Sequence, residues 1–390
     1  MGLIVTSRIR AAVAGLRSKT VAVRTTMLAG VGALVLGIFA CAPAPSQAPP
    51  PAPPPPAPPM PFAREQCGLS TNATPFLRNL RMLSNYNPDP NQPGGKHAPV
   101  GTSPVPEMYC TALANAYNAA DRSLKDALDS LTNTFILQNQ DSCAGAEYCS
   151  WGYIDKLSGD GTHTYIGLSS ALWNSDGTPK FSTYSAFAEQ TVRTLLLGAN
   201  FNPISIQADP DGPSLALIAA LAHEMGHIKW WADGVQTSAC QDSVVAGNTS
   251  FASIAWSNAQ NTPAWRFFGV GDLQSINADR LTLGQFQGDV QHASDGDWLG
   301  DLIALYDGRW PSLFAIVSPD EDFVETYTLI QVILALRKQS PSSASLQVTL
   351  LPQRPSQRTI DLLSQHDHPT DPQFHKDLHH KVQWIKHCVR

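Results

Sequence analysis

His223-Glu224-Met225-Gly226-His227, HEMGH in one-letter code, is the stretch on which the reading of this chain turns. Two histidines four residues apart on a helix share a face, so both imidazoles can meet one ion. The glutamate between them is placed to act as general base on a water at that ion. The pattern points to metal-assisted hydrolysis, with His223 and His227 as metal ligands and Glu224 as the base.

The flanking residues predict a helix from Ser214 to Asp233. Gly212-Pro213 precede it, Ser214 can cap it and Gly234 stops it. Leu215, Leu217, Ile218, Leu221 and Ile228 make it apolar on nearly every side, which predicts burial. Two histidines and a glutamate inside a buried helix need partners for their polar atoms, and a bound cation serves that need.

A hydrolytic zinc site keeps three protein ligands and one open position, so a third ligand must lie elsewhere. Residues 228–234 lack a Gly and a His at metzincin spacing, which leaves a downstream carboxylate. Ser318-Pro319-Asp320-Glu321-Asp322-Phe323-Val324-Glu325-Thr326-Tyr327 holds two of the chain's seven glutamates. They are four apart, hence on one face of a helix expected from about Asp320 to Lys338.

HEMGH followed by SPDEDFVETY resembles the gluzincin peptidases of the lethal-factor and Pro-Pro-endopeptidase type, which carry HExGH and then an EDFAE-like helix. Only these two segments carry the resemblance. It implies an α+β, mainly helical zincin-like metallopeptidase domain with a small sheet, one catalytic Zn2+, and a protein or peptide substrate. By position it makes Glu321 the third ligand, with Asp322 as the alternative, and Glu325 the group that orients a histidine ligand. A carboxylate at Glu325 also suits the general need for an acceptor on the free ring N–H of His223 or His227.

Members of that family often carry a Tyr seven residues before the ligand glutamate, whose hydroxyl stabilises an oxyanion. Phe314 stands there in this chain. A phenyl ring donates no hydrogen bond, and losing one oxyanion donor costs about a hundredfold to a thousandfold in rate. Three explanations stay open: Tyr306, Tyr327 or His292 supplies the donor, the enzyme is slow, or the domain binds without cutting. The residues alone imply only hydrolysis of a polarised carbonyl. A peptidoglycan amidase is therefore a second reading, and a catalytically weak binding lipoprotein a third.

Glu321 lies 94 positions after His227, so residues from about 235 to 300 read as an insertion, with aromatics Phe251, Trp256, Trp265, Phe267 and Phe268. A lid or substrate-binding wall and a satellite subdomain packed on the core fit it equally. Elsewhere the pattern predicts helices from about Tyr109 to Phe135 and Phe181 to Leu197. A strand near Thr164–Leu168 is the candidate for the sheet edge that pairs with extended substrate. Residues from Gln339 onward read as a polar tail whose histidines, His366, His368, His375, His379, His380 and His387, are scattered surface groups.

The amino terminus bears on location. Arg8, Arg10, Arg17, Lys19 and Arg24 precede an apolar run from Met27 to Ala40, and no acid occurs before Glu65. This is a secretory signal pattern. The run ends Ile38-Phe39-Ala40-Cys41, which resembles a bacterial lipobox, so residues 1–40 read as a lipoprotein signal peptide and Cys41 as the lipidated first residue of the mature chain. Residues 42–62 contain twelve prolines in 21 residues, a polyproline II tether reaching roughly 65 Å. Residues 63–390 are left for the metallopeptidase domain that the resemblance implies. The chain is expected to be exported and held by lipid on the periplasmic or surface side of a bacterial membrane.

Cysteine usage agrees with export. Cys67, Cys110, Cys143, Cys149, Cys240 and Cys388 form an even set for an oxidising compartment. The preferred pairing is Cys67–Cys110, Cys143–Cys149 and Cys240–Cys388, of which only the second is favoured by local spacing. Without the five basic signal residues, 21 Lys and Arg face 32 Asp and Glu, a net charge near −11, which makes nucleic acid a poor partner.

Overall fold

The apolar helix and the glutamate-bearing helix lie side by side at the centre of the structure, a computed structural model. It describes residues 67, 74–85, 100–103, 105–131, 133–137, 152–156, 164–195, 204–232, 250–258, 265–267, 306, 308, 310–316, 319–350, 352, 357–367 and 377–389. All of these fall in the unit Pro61–Arg390. The expected signal peptide, Cys41 and the expected tether lie outside the described residues, as do Cys143, Cys149, Cys240, His292, His368 and His375. Among the described residues no helix is long and apolar enough to cross a membrane.

The first half builds a mixed sheet. After helix α1 (Pro75–Arg78) come strands β1 (Leu80–Asn85) and β2 (Val100–Ser103), then helices α2 (Glu107–Ala119) and α3 (Arg122–Asp129). Strands β3 (Asn133–Leu137), β4 (Gly152–Lys156) and β5 (Thr164–Leu168) follow. The single helix expected from Tyr109 to Phe135 is thus two helices and a strand. Asp121 ends the first and caps the second, its carboxylate accepting from the Ser123 N–H at 3.0 Å. Phe135 and Ile136 then bury in β3, where aromatic and branched side chains suit a pleated surface.

The strand order is β2-β1-β3-β5-β4, with β1, β3 and β5 parallel and β2 and β4 antiparallel at the edges. The expectation that Thr164–Leu168 is the edge strand therefore fails. β5 pairs on both sides, and the edge beside it is β4, which the sequence reading passed over. A disulfide joins Cys67 to Cys110 in α2, with Cα atoms 5.4 Å apart across 43 positions. Closing a loop of that length stabilises by about 4 kcal/mol.

Helix α4 (Tyr184–Leu195) leads to strand β6 (Ile204–Asp209), and β6 leads directly into helix α5 (Pro213–Ala232). Helix α5 begins at Pro213, one residue before the expected cap, and the Gly212 carbonyl accepts the first helical N–H groups. Residues 215–222 are all buried. Strands β7 (Trp256–Asn258) and β8 (Trp265–Phe267) pair as a small hairpin. Helix α6 (Pro319–Gln339) then runs into strand β9 (Ser345–Leu350), which pairs antiparallel with β6. One helix leaves β6 and the other enters β9, so the strand register helps set how far α5 and α6 slide past each other.

Phe251, Ala252, Ala255 and Trp256 of the 235–300 segment belong to the core. Phe251 is fully buried against Trp230, Phe323 and Trp384, and Trp256 packs on Trp310. The polar-tail expectation for residues after Gln339 is overturned more fully. Strand β9 alternates buried Leu346, Val348 and Leu350 with half-buried neighbours, and pairs with β10 (Arg358–Asp361). Helices α7 (Leu362–Asp367) and α8 (Asp377–Cys388) follow, and α8 buries Leu378, Lys381, Val382, Trp384 and Ile385. His366 is 1% exposed, not a surface histidine. Cys388 is disulfide-bonded at the end of α8. The overall class is α+β.

Candidate metal centre

Helix α5 carries His223 and His227 on the side that meets the first turns of α6. Their rings lie 5.0 Å apart, centroid to centroid. His223 Nε2 is 3.8 Å from Glu321 Oε2, and His227 Nε2 is 3.7 Å from Glu321 Oε1. One donor atom from each residue lies within 4.8 Å of the other two, and among the described residues this is the group of His, Cys, Asp and Glu able to hold a metal ion. Ligands about 2.0–2.1 Å from a tetrahedral zinc stand about 3.3 Å apart. The two His–Glu321 separations, one to each carboxylate oxygen, are within half an ångström of that, and the three donors lie within 4.8 Å of one another, a group that could hold an ion.

The outward ring nitrogens strengthen the fit. His223 Nδ1 lies 2.9 Å from Glu325 Oε1, so an N–H donated there turns Nε2 toward Glu321, where it could ligate an ion once it gives up its own proton. His227 Nδ1 faces Asp320 Oδ2 at 3.7 Å. Ser312 donates to Glu325 Oε2 at 2.5 Å and itself accepts the Ala315 N–H at 3.3 Å. Glu325 is thereby fixed from two sides, by a histidine on α5 and by the segment that carries Phe314.

Gly226 allows this approach. A Cβ built at Gly226 would lie 3.0 Å from the Val324 Cα and 3.3 Å from its Cγ1. Val324 sits between Glu321 and Glu325, so the helices touch backbone to backbone where the carboxylates must reach the histidines. Any side chain at 226 would push α6 outward.

The electrostatics show a site short of positive charge. Burial disfavours the His223 imidazolium, but the Glu325 hydrogen bond and the charges of Glu321, Glu224 and Glu325 outweigh it and hold its pKa up to about 10. His227 is raised too, against burial, chiefly by Asp320. Burial pushes Glu321 up to about 7 although both histidines pull it down, and burial raises Glu224, which is 4% exposed. Four carboxylates share this pocket with two imidazoles. The raised pKa values mean that these groups hold protons more tightly than they would in water, and a divalent cation would compete with those protons.

Asp322, the alternative ligand, points away. It is fully buried and binds Lys381 Nζ at 2.9 Å and Trp256 Nε1–H at 3.0 Å. Burial raises its carboxyl to about 6 against the pull of those donors, so it is ionised at neutral pH. Phe314 lies beside the site, its ring 6.0 Å from that of His223. Of the proposed substitute donors, Tyr306 is buried near enough to Glu325 to feel its charge, and Tyr327 is buried on α6. Tyr184, which the sequence reading did not consider, also senses Glu325. Asp320 and Ser312 were missed as well. Asp320 was visible as the neighbour of Glu321, whereas no spacing rule marks Ser312. No family model, no curated protein and no solved structure matches this chain.

Proposed function

We propose that this chain is a zinc-dependent metallopeptidase of the gluzincin kind, with a zincin-like domain at residues 63–390, exported and lipid-anchored through Cys41. The observation that carries this reading is the convergence of His223, His227 and Glu321 with carboxylates behind both Nδ1 atoms. Zinc bound there would supply Lewis acidity toward a scissile carbonyl and a water acidic enough to lose a proton near neutral pH. Glu224, buried between the histidines, would be the base that takes that proton and returns it to the leaving amine. Glu325 holds His223 in the tautomer that presents Nε2, and the Asp320 carboxylate stands 3.7 Å behind the His227 Nδ1. Strand β4, at the sheet edge and packed on α5, offers backbone groups to an extended peptide.

The test is bound zinc per chain in the full-length protein beside Glu321→Ala. Zinc sites reach about 10–16 kcal/mol in apparent binding energy, so one of four ligands accounts for about two to three decades of affinity. One zinc in the parent, with that loss in the variant, supports the reading. Equal zinc in both rejects the ligand set, and a folded parent without zinc rejects the metal.

Phe314 favours a second reading, a zincin-like domain that holds metal and binds peptide without cutting it. Phe314→Tyr places a hydroxyl beside His223 and is expected to raise turnover by up to about a hundredfold. Retained zinc with no turnover of broad peptide libraries by either form would favour the binding protein.

A further inference from the structure

Lys381 and Asp322 have no part in the chemistry above, yet they form the most deeply buried ion pair among the described residues. Both side chains are 0% exposed, and Nζ lies 2.9 Å from each carboxylate oxygen. The ammonium also sits 3.9 Å above the Trp310 ring, and Trp256 Nε1–H donates to Asp322. Such a pair stabilises little relative to apolar side chains of equal size, so its presence calls for a role in specifying geometry.

Its position indicates which geometry. Asp322 directly follows Glu321, so the first turn of α6 presents three consecutive acids in three directions. Asp320 faces His227, Glu321 faces both imidazoles, and Asp322 is held from behind by a lysine 59 positions later, on α8. Rotating α6 about its axis would move all three together. Lys381 grips the turn through Asp322, which points away from the histidines, and α8 is itself tied down by the Cys388 disulfide and by the Leu378 N–H donating to the Gly308 carbonyl.

We infer that Lys381 is a positioning residue for the metal centre: through Asp322 it holds the α6 turn so that Glu321 faces His223 and His227, making the C-terminal helix part of the site. This rests on the zinc reading above. The experiment compares zinc affinity, by competition with a chromophoric chelator, in the full-length parent, Lys381→Met, and Asp322→Asn/Lys381→Met, alongside melting of the metal-free forms. The double variant removes both charges and keeps an acceptor for Trp256, so it is the form expected to fold.

The expected result is a double variant that melts near the parent without metal yet binds zinc at least tenfold more weakly, with a correspondingly smaller zinc-induced rise in melting temperature. Parent-like zinc affinity in the double variant overturns the inference and leaves the zinc reading intact. A double variant that does not fold overturns it too, because the pair would then determine the fold and not the position of one ligand. A folded parent that takes no zinc overturns both readings.

Discussion

Two charged clusters lie on opposite sides of one helical turn, and they differ in how their charges are matched. On the metal side, Glu224, Glu321, Glu325 and Asp320 surround two imidazoles whose side chains keep 15–23% exposure. On the other side, one carboxylate meets one ammonium with an indole N–H and an aromatic face in attendance, and nothing is exposed. A cluster complete in itself is sealed. One that lacks positive charge is left accessible, which is where a cation can enter and bind.

The contrast is broken most sharply by removing charge from each side in metal-free protein. Lys381→Met leaves Asp322 buried without its cation and is expected to cost about 3–5 kcal/mol. Glu321→Gln removes one of several crowded carboxylates and is expected to leave chelator-treated protein as stable as the parent or more so. Equal losses in thermal unfolding would erase the distinction between the clusters.

Acid and base sharpen the same comparison. Glu321 titrates near 7 when folded against an ordinary 4.5, so the folded state holds the extra proton and stability falls as pH rises through that window. His223, held up to about 10 from 6.5, contributes stability that is full below 6.5 and lost as pH rises through 10. The site's contribution to metal-free stability should therefore fall from about pH 4.5 to 10, and saturating zinc should flatten that slope. His366, away from the site, behaves in the opposite sense. Burial and the Lys386 charge, opposed by Asp367, lower it from 6.5 to about 4, so stability is lost as pH falls through that range, on the order of 3 kcal/mol, with or without zinc. Melting temperatures across pH, with and without zinc, check both arms.

A smaller effect tests the helix contact that brings the clusters to one turn. Gly226→Ala puts a methyl 3.0 Å from the Val324 Cα, and overpacking of this kind costs about 1–3 kcal/mol. Because relief requires α6 to back away, zinc affinity should fall along with stability. A variant that loses stability while its zinc affinity is unchanged would show that the metal centre tolerates a displaced helix.

The two long helices were legible because their signals are local. Gly212-Pro213 ahead of a nearly all-round apolar run, and two glutamates four apart in α6, act within a few residues. The C-terminal segment misled for the converse reason. Its Ser, Pro and His content suggests a tail, and the alternation of Leu346, Val348 and Leu350 gains meaning only once β6 is present as a partner. In α2 and α3 the apolar residues suggested one helix, whereas Asp121 caps a second, and Phe135 finds its place in a parallel sheet.

The chain's own spacing determined that His223 and His227 share a face and that Glu321 and Glu325 share another, since helix periodicity is a property of the local backbone. Only the tertiary structure decided which of three consecutive acids meets the histidines. The contacts concerned, His223 to Glu325 across 102 positions and Asp322 to Lys381 across 59, depend on how α6 is rotated against α5 and α8. Rotation is set by packing at Gly226 and Val324 and by the burial of α8, and no rule of spacing within a single helix contains that information.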